Sequence, residues 1–143
     1  MKIVDLNILL YAVNRSSPHH STIRSWWETA HREDEPIGLT WVVLSGFVRL
    51  STRSGIFPQP LTVEQACARV ERWLQAPATR VVVETEEHWR HLSALLIKLG
   101  AAGNLTTDAH LAALAISHGA TLVSCDTDFA RFSGLRWHNP MQE

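Results

Sequence analysis

The stretch GATLVSCDTDF, residues 119–129, places two aspartates directly after a short apolar run. Its segment ATLVSC is predicted to be a β-strand, so Asp126 and Asp128 follow the point where a strand ends. A turn would explain them, because aspartate side chains hydrogen bond to their own turn backbone. A metal ion would also explain them, because carboxylate oxygens bind hard cations. The rest of the sequence has to decide between the two.

Strands and helices alternate on both sides of this stretch. Further strands are predicted at KIV before Asp5, at TRVVVE (79–84) and, as an edge strand, at LRWHNP (135–140). Helical spacing of apolar residues is found in five longer segments, 16–33, 40–52, 61–76, 85–100 and 105–119, and a further helix is predicted to begin at LLYAV (9–13). This alternation predicts an α/β fold, a three-layer α/β/α sandwich around a central parallel sheet, in a single domain over residues 1–143.

Capping residues support these helix boundaries. Thr62 and Gln65 form a capping-box pattern, and Gly100 is placed to end the fourth of these segments. N-terminal caps are also predicted at Ser16 or Ser17, at Thr40, and at Thr106 or Thr107.

Composition narrows the class of protein. The 143 residues are 45% hydrophobic and 19% charged, enough for a packed core, and the net charge is −1, so no overall basic field indicates nucleic acid. No apolar run approaches the roughly 18 residues of a membrane span, and the N-terminus lacks the features of a signal peptide, so we expect a cytoplasmic protein. Cys67 and Cys125 form no CxxC motif, and each is predicted to be a buried free thiol.

Four of the five aspartates fall where a parallel sheet would gather them. Asp5 ends the first strand, Asp108 lies in the first turn of a helix, and Asp126 and Asp128 follow a late strand. Separately, a helix dipole explains Asp108, a turn explains the pair, and a salt bridge explains Asp5. Together they would repel one another unless a cation lay between them. Oxygen-only ligands favour Mg²⁺, for which Mn²⁺ can substitute, over zinc.

The segments KIVDLNILLYAVN, SGFVRLST and GNLTTDAHLAALAISHGATLVSCDTDFARFSGLRWHNP together resemble PIN-domain ribonucleases, and more narrowly the VapC-type toxins of toxin–antitoxin pairs. The resemblance implies an α/β/α sandwich whose acidic cluster binds Mg²⁺ or Mn²⁺ and cleaves RNA by attack of water on a phosphodiester. It also implies a homodimer, and a hetero-oligomer with a cognate VapB-type antitoxin that inhibits the toxin.

Residue by residue, the resemblance implies catalytic roles for Asp5, Asp108, Asp126 and Asp128. Asp5 and Asp108 would bind the metal most directly, and Asp126 would complete its shell or orient a water. Asp128 would act through water or only shape the turn.

Three neighbouring residues are candidates for supporting roles. Asn7 and Thr107 are predicted to hydrogen bond to the acids, with a turn and a helix cap as their alternative roles. Arg49 follows the FxR pattern of the family and is a candidate for contact with RNA, with a structural arginine as the alternative.

One position departs from the family pattern. Many relatives carry a glutamate in the third helix, whereas Gly46 stands at that place here and no residue from 40 to 53 is acidic. We therefore expect weaker metal binding, and a catalytically weak PIN scaffold that binds RNA or an antitoxin without cutting is the alternative function.

Two other enzyme classes fit the sequence less well. Phosphatases of the haloacid-dehalogenase type need a second aspartate two residues after the first, where this chain has Asn7. A nuclease acting on DNA structures is disfavoured by the short chain, which has no room for large insertions.

Overall fold

Five short strands form one sheet in which every neighbouring pair is parallel. The computed structural model describes residues 1–142. The strands are β1 (Lys2–Val4), β2 (Ile37–Leu39), β3 (Thr79–Val81), β4 (Thr121–Val123) and β5 (Arg136–His138), and their order across the sheet is β3-β2-β1-β4-β5. The predicted parallel sheet is confirmed, with β5 at an edge.

Six α-helices connect the strands. They are α1 (Leu6–Val13), α2 (His20–Ala30), α3 (Trp41–Thr52), α4 (Val63–Gln75), α5 (His88–Leu99) and α6 (Thr106–Ser117). Successive contacts join α2 to α1, α1 to α3 and α3 to α4, whereas α5 packs on α6. The chain moves outward from β1 to β3 and then returns to β4, so right-handed crossovers put α1–α4 on one face and α5–α6 on the other. These are the three predicted layers.

The centre of the sheet is apolar on both faces. Ile3, Val4, Leu122 and Val123 are fully buried, as expected for strands covered by helices on both sides. The neighbouring strand β2 escaped prediction, because it is three residues long and carries a glycine. A side chain could not fit there: a Cβ on Gly38 would lie 2.8 Å from Val82 Cγ2 and 2.9 Å from Ile3 Cγ1.

The predicted helix boundaries are partly correct. The capping box of α4 is present, with Gln65 N donating to Thr62 Oγ1 over 3.1 Å and Thr62 N donating to Gln65 Oε1 over 2.9 Å. Gly100 ends α5 with a φ of 72°. The caps predicted at Ser16 or Ser17 and at Thr106 or Thr107 were wrong, because α2 starts after His19 and α6 starts after Leu105. Thr40 is the N-cap residue of α3 as predicted, but its side chain makes no capping hydrogen bond.

The cysteines do not share one environment. Cys125 is half-buried, but Cys67 is exposed on α4, so the prediction of a buried thiol was wrong there. Both are free. None of the helices between residues 1 and 142 is long and apolar enough to cross a membrane.

Candidate metal centre

The candidate site lies at the carboxyl ends of β1 and β4. These strands are neighbours, with Val4 paired to Val123, and Asp5 N continues the ladder by donating to Val123 O over 2.9 Å. From β1 the chain runs to β2 on one side, while β4 lies on the other side. The order therefore reverses between β1 and β4, which is where parallel sheets commonly bind ligands.

Asp5 is the buried acid at the base of this site, which we call its floor. It is 8% exposed and precedes α1 as its N-cap, with Oδ1 accepting a hydrogen bond from Leu6 N over 2.7 Å. Its Oδ2 accepts from Ser124 Oγ over 2.7 Å and from Asn7 Nδ2 over 3.1 Å. Three donors thus fix the orientation of this carboxylate.

Ser124 joins three parts of the site, and sequence reasoning missed it. Its fully buried hydroxyl donates to Asp5, and it accepts from Asn7 Nδ2 and from Asp126 N, each over 3.0 Å. The signal available in the sequence was a hydroxyl residue ending an apolar strand two residues before an aspartate, a spacing typical of a serine turn.

Asn7 ties the first helix to the loop after β4. Besides its contacts with Asp5 and Ser124, its Oδ1 accepts a hydrogen bond from Cys125 N over 3.1 Å. The amide therefore donates and accepts at once, which an aspartate could not do at neutral pH. The structure places Asn7 against an acid as the sequence predicted.

Three carboxylates gather above this floor. Asp108, in the first turn of α6, meets Asp126 and Asp128, and one oxygen from each lies within 4.8 Å of the others. Asp126 Oδ1 also accepts from Asp128 N over 2.9 Å, which starts the 3₁₀ turn Thr127–Arg131. Asp108 and Asp126 are half-buried and Asp128 is exposed. The turn explanation and the metal explanation for this pair are therefore compatible.

The electrostatics of the site favour a cation. Burial, followed by the charges of Asp126, Asp5 and Asp128, raises the pKa of Asp108 to about 6. Burial is also the main cause that raises the pKa of Asp5, opposed by its hydrogen bonds from Ser124 and Leu6. Within residues 1–142, no lysine or arginine forms an ion pair with any of the four.

The donor set fits a hard divalent ion. All the converging atoms are carboxylate oxygens, which Mg²⁺ and Mn²⁺ prefer, and neither histidine nor cysteine belongs to the group. Asp5 stands beside this group of three and not in it, and both of its carboxylate oxygens accept hydrogen bonds.

The other candidate residues lie around this centre. Gly46, at the position of the absent acid, faces Leu6: a Cβ there would lie 2.9 Å from Leu6 Cδ2. Thr107 and Arg49 are exposed, and in the described part of the chain neither side chain hydrogen bonds to the four aspartates. The structure thus brings Asn7 to the acids and leaves Thr107 and Arg49 outside their hydrogen-bond network.

Comparisons with known proteins agree with this geometry. The sequence profile of the PIN domain matches residues 2–135. Ribonuclease VapC37 of Mycobacterium tuberculosis is 48% identical over 140 residues, covering 98% of this chain and 97% of that protein. Ribonuclease VapC33 of Mycobacterium tuberculosis is 41% identical over 143 residues, covering 100% of both chains.

Solved structures share the fold. A chain of VapBC2 from Rickettsia felis, bound to a DNA fragment from its promoter, superposes with a TM-score of 0.73 at 20% identity, covering 96% of this chain and 97% of that one. Mycobacterium tuberculosis VapC20, a toxin that cleaves the sarcin-ricin loop, gives a TM-score of 0.68 at 18% identity, covering 95% and 99%. This chain therefore belongs to the PIN domain family and, within it, to the VapC ribonucleases.

Proposed function

We propose that this VapC ribonuclease is the toxin of a toxin–antitoxin pair and hydrolyses RNA phosphodiester bonds at the carboxylates of Asp108, Asp126 and Asp128, with Asp5 beneath them. The observation that carries the proposal is the convergence of three carboxylates within 4.8 Å at the sheet's switch point, with no basic side chain of residues 1–142 paired to them. Such a group is costly to hold without a cation.

Each acid has a separate task in this proposal. Asp108 and Asp126 would hold Mg²⁺, with Mn²⁺ as a substitute, and Asp5 would complete the set through whatever lone pairs its hydrogen bonds leave free. Asp128, which is exposed, would hydrogen bond to a water molecule that coordinates the ion. The ion, when bound, would polarise a phosphoryl oxygen and lower the pKa of a water. Ser124 and Asn7 keep the floor carboxylate in one orientation, so the negative charge stays fixed beneath the reacting phosphate.

A partner protein follows from the same family membership. Several structures with this fold are complexes of a VapC protein with its VapB partner, from Rickettsia felis, Haemophilus influenzae and Salmonella typhimurium. We propose a cognate VapB-type antitoxin for this chain, a homodimer of the toxin and a hetero-oligomer of both. The described residues would act as a single domain, in the cytoplasm, where the RNA substrates are.

Cleavage of total RNA by antitoxin-free protein tests the function. The protein is incubated with Mg²⁺ or Mn²⁺, and parallel reactions contain a chelator or the variant Asp108→Asn. Asp34→Asn is the matched control, because Asp34 lies in the exposed loop before β2, away from the site. We expect discrete fragments from wild type and Asp34→Asn, and intact RNA from the other two reactions.

The outcomes separate the alternatives. Intact RNA from folded wild-type protein in both metals would favour the non-cutting scaffold, for which the space filled by Leu6 at Gly46 is the specific observation. Full activity of Asp108→Asn would show that the carboxylates of Asp108, Asp126 and Asp128 do not act together in cleavage.

A further inference from the structure

A second charged pocket lies outside the acidic site. It is a cavity of ≈ 200 Å³ between the end of α1, helix α2 and helix α4. We call it the arginine pocket and define it by Arg15, Arg24 and Arg69. Its other principal lining residues are His20, Trp27, Trp73 and one acid, Glu28.

The positive charges of this pocket are largely uncompensated. Arg24 Nε donates to Glu28 Oε1 over 2.9 Å. Within residues 1–142, no carboxylate lies within ion-pair distance of Arg15, Arg69 or the neighbouring Arg72. The chain as a whole has a net charge of −1, so this local excess of positive charge is a property of the pocket and not of the composition.

Arg69 is the centre of the group. It is half-buried, and burial together with the charges of Arg72, Arg15 and Arg24 lowers the pKa of its guanidinium. Guanidinium groups that repel one another, as the three that line this pocket do, are stabilised when an anion binds among them. The planar guanidinium fork matches the two oxygens of a phosphate, and an arginine is well suited to bind one even where it is partly desolvated.

Tyr11, in the second half of α1, is linked to a residue that lines the arginine pocket. The Tyr11 ring lies 4.8 Å from the His19 ring, and Tyr11 O is hydrogen bonded to His20 Nδ1 over 2.8 Å. His20 lines the pocket together with Ala12 and Val13, so the end of α1 borders the pocket directly.

The separation suits a chain of nucleotides. Asp5 and the pocket lie at opposite ends of α1, whose eight residues rise about 12 Å. A single strand that places one phosphate at the acids can therefore reach the arginines with a phosphate a few nucleotides away. Between them, the Tyr11–His19 pair offers aromatic faces to a base.

We infer that the arginine pocket is a phosphate subsite that holds the RNA strand at a fixed distance from the scissile bond. The inference rests on the proposed ribonuclease function, because it assigns the pocket to the same substrate. An enzyme with this subsite prefers RNA strands that are long enough to occupy both the acidic site and the arginine pocket.

The test measures binding of a fluorescein-labelled single-stranded RNA 12-mer by anisotropy in EDTA, over a range of salt concentrations. The variants are Arg69→Gln and Arg15→Gln, and Arg69→Lys retains the charge. Arg32→Gln is the matched control, because Arg32 is exposed after the far end of α2. Thermal unfolding is recorded for each variant, and Arg15, which is exposed, serves as the second variant if Arg69→Gln does not fold.

We expect roughly tenfold weaker RNA binding for each Gln variant, as for loss of a charge-assisted hydrogen bond. The slope of log K against log salt should fall by about 0.7 for each phosphate that the variant no longer neutralises. Arg69→Lys should retain more affinity than Arg69→Gln, and Arg32→Gln should match wild type. In Mg²⁺, Arg69→Gln should raise KM on the 12-mer and leave cleavage of a dinucleotide unchanged.

Unchanged RNA affinity and salt slope in both Gln variants would overturn the inference, while cleavage by wild type would leave the proposed function standing. If these variants keep RNA binding and lose binding of the antitoxin, the pocket receives a carboxylate of that protein and the RNA assignment is wrong. Wild-type protein that neither binds nor cuts any RNA would overturn the proposed function and this subsite with it.

Discussion

Replacing Asp108 by asparagine should stabilise the metal-free protein and abolish its activity. In the absence of a cation, the Asp108 carboxylate sits close to Asp126, Asp5 and Asp128, and its pKa rises to about 6. A site built for a cation is therefore a source of strain in the free protein. Asparagine keeps the shape of the side chain and removes its charge.

The magnitude follows from the pKa. The ordinary value for this carboxyl is 3.8, and the difference from about 6 corresponds to about 3 kcal/mol at most. Since the side chain is only half-buried, solvent screening reduces this to about 1–2 kcal/mol. The direction of the pH dependence follows from the raised pKa. Between pH 3.8 and about pH 6, the folded state binds more protons than the unfolded state. Wild-type stability should therefore fall as pH rises from about 4 to about 6.

Urea unfolding in EDTA at a series of pH values measures this effect. At pH 7.5, Asp108→Asn should be more stable than wild type by about 1 kcal/mol. This is less than the full gain, because the variant also loses a negative charge that is favourable at the start of α6. The difference should vanish near pH 3, where Asp108 is protonated in both states. Mg²⁺ should stabilise wild type by about 2.7 kcal/mol at a hundredfold excess over its Kd, and the variant by less.

Asp34→Asn controls for the simple loss of one negative charge, and its stability should match that of wild type at every pH. A variant less stable than wild type at pH 7.5 in EDTA would refute the reasoning, because the carboxylates would then be stabilised without a cation. A stability difference that is independent of pH would also refute it.

Two further substitutions and one labelling experiment test the contacts of Asp5, the position of the absent acid at Gly46, and the two thiols. Ser124→Ala should lower the free energy of unfolding by about 2–3 kcal/mol in urea, because the buried Asp5 carboxylate loses one of its three hydrogen-bond donors. Gly46→Glu should cost about 1 kcal/mol, the low end for overpacking, because the atom in its way is the end of the flexible Leu6 side chain; Leu6→Ala should restore part of it in the same assay. Burial, followed by the charge of Asp5, raises the pKa of Cys125 to about 11, so an alkylating reagent at pH 7.5 should modify exposed Cys67 first, as mass spectrometry of the peptides would show.

Much of the fold could be read from the sequence because its signals are local. The capping box at Thr62 and Gln65, and the glycine that ends α5, are set by residues a few positions apart. Strand β2 carried no such signal, since three residues around Gly38 become a strand only through pairing with β1 and β3. Tertiary contact decides such a segment, and propensity does not.

The hydroxyl caps failed for a related reason. A short 3₁₀ turn, Gly103–Leu105, leads directly into α6, so the chain enters the helix already wound and Thr106 is its first residue. At α2, Ser17 Oγ accepts from His19 N and so stabilises the turn before the helix instead of the helix itself. In both cases a hydroxyl of the expected type was present, but the backbone path used it elsewhere or not at all.

The candidate site shows the same division between local and non-local information. The aspartates could be found from the sequence, because each follows a strand or opens a helix in a fold whose strand ends converge. Ser124 could not be ranked above other serines, since its role depends on Asp5 and Asn7, which lie almost the whole chain away. The arginine pocket was missed for the same reason, because three separate helical regions supply its charges.

The site has a hydrogen-bonded lower part, formed by Asp5, Ser124 and Asn7, and a charged upper part, formed by Asp108, Asp126 and Asp128. In the floor, Asp5, Ser124 and Asn7 share a closed set of hydrogen bonds, so its geometry is fixed before any ligand arrives. Above it, the carboxylates of Asp108 and Asp126 lie close together and repel each other, although Asp126 Oδ1 accepts a hydrogen bond from Asp128 N. Gly46 leaves four carboxylates in place of five, and Leu6 fills the space beside it with apolar atoms. The metal-free protein therefore holds less uncompensated negative charge than a protein with a fifth carboxylate would, and for the same reason we expect it to attract a cation more weakly.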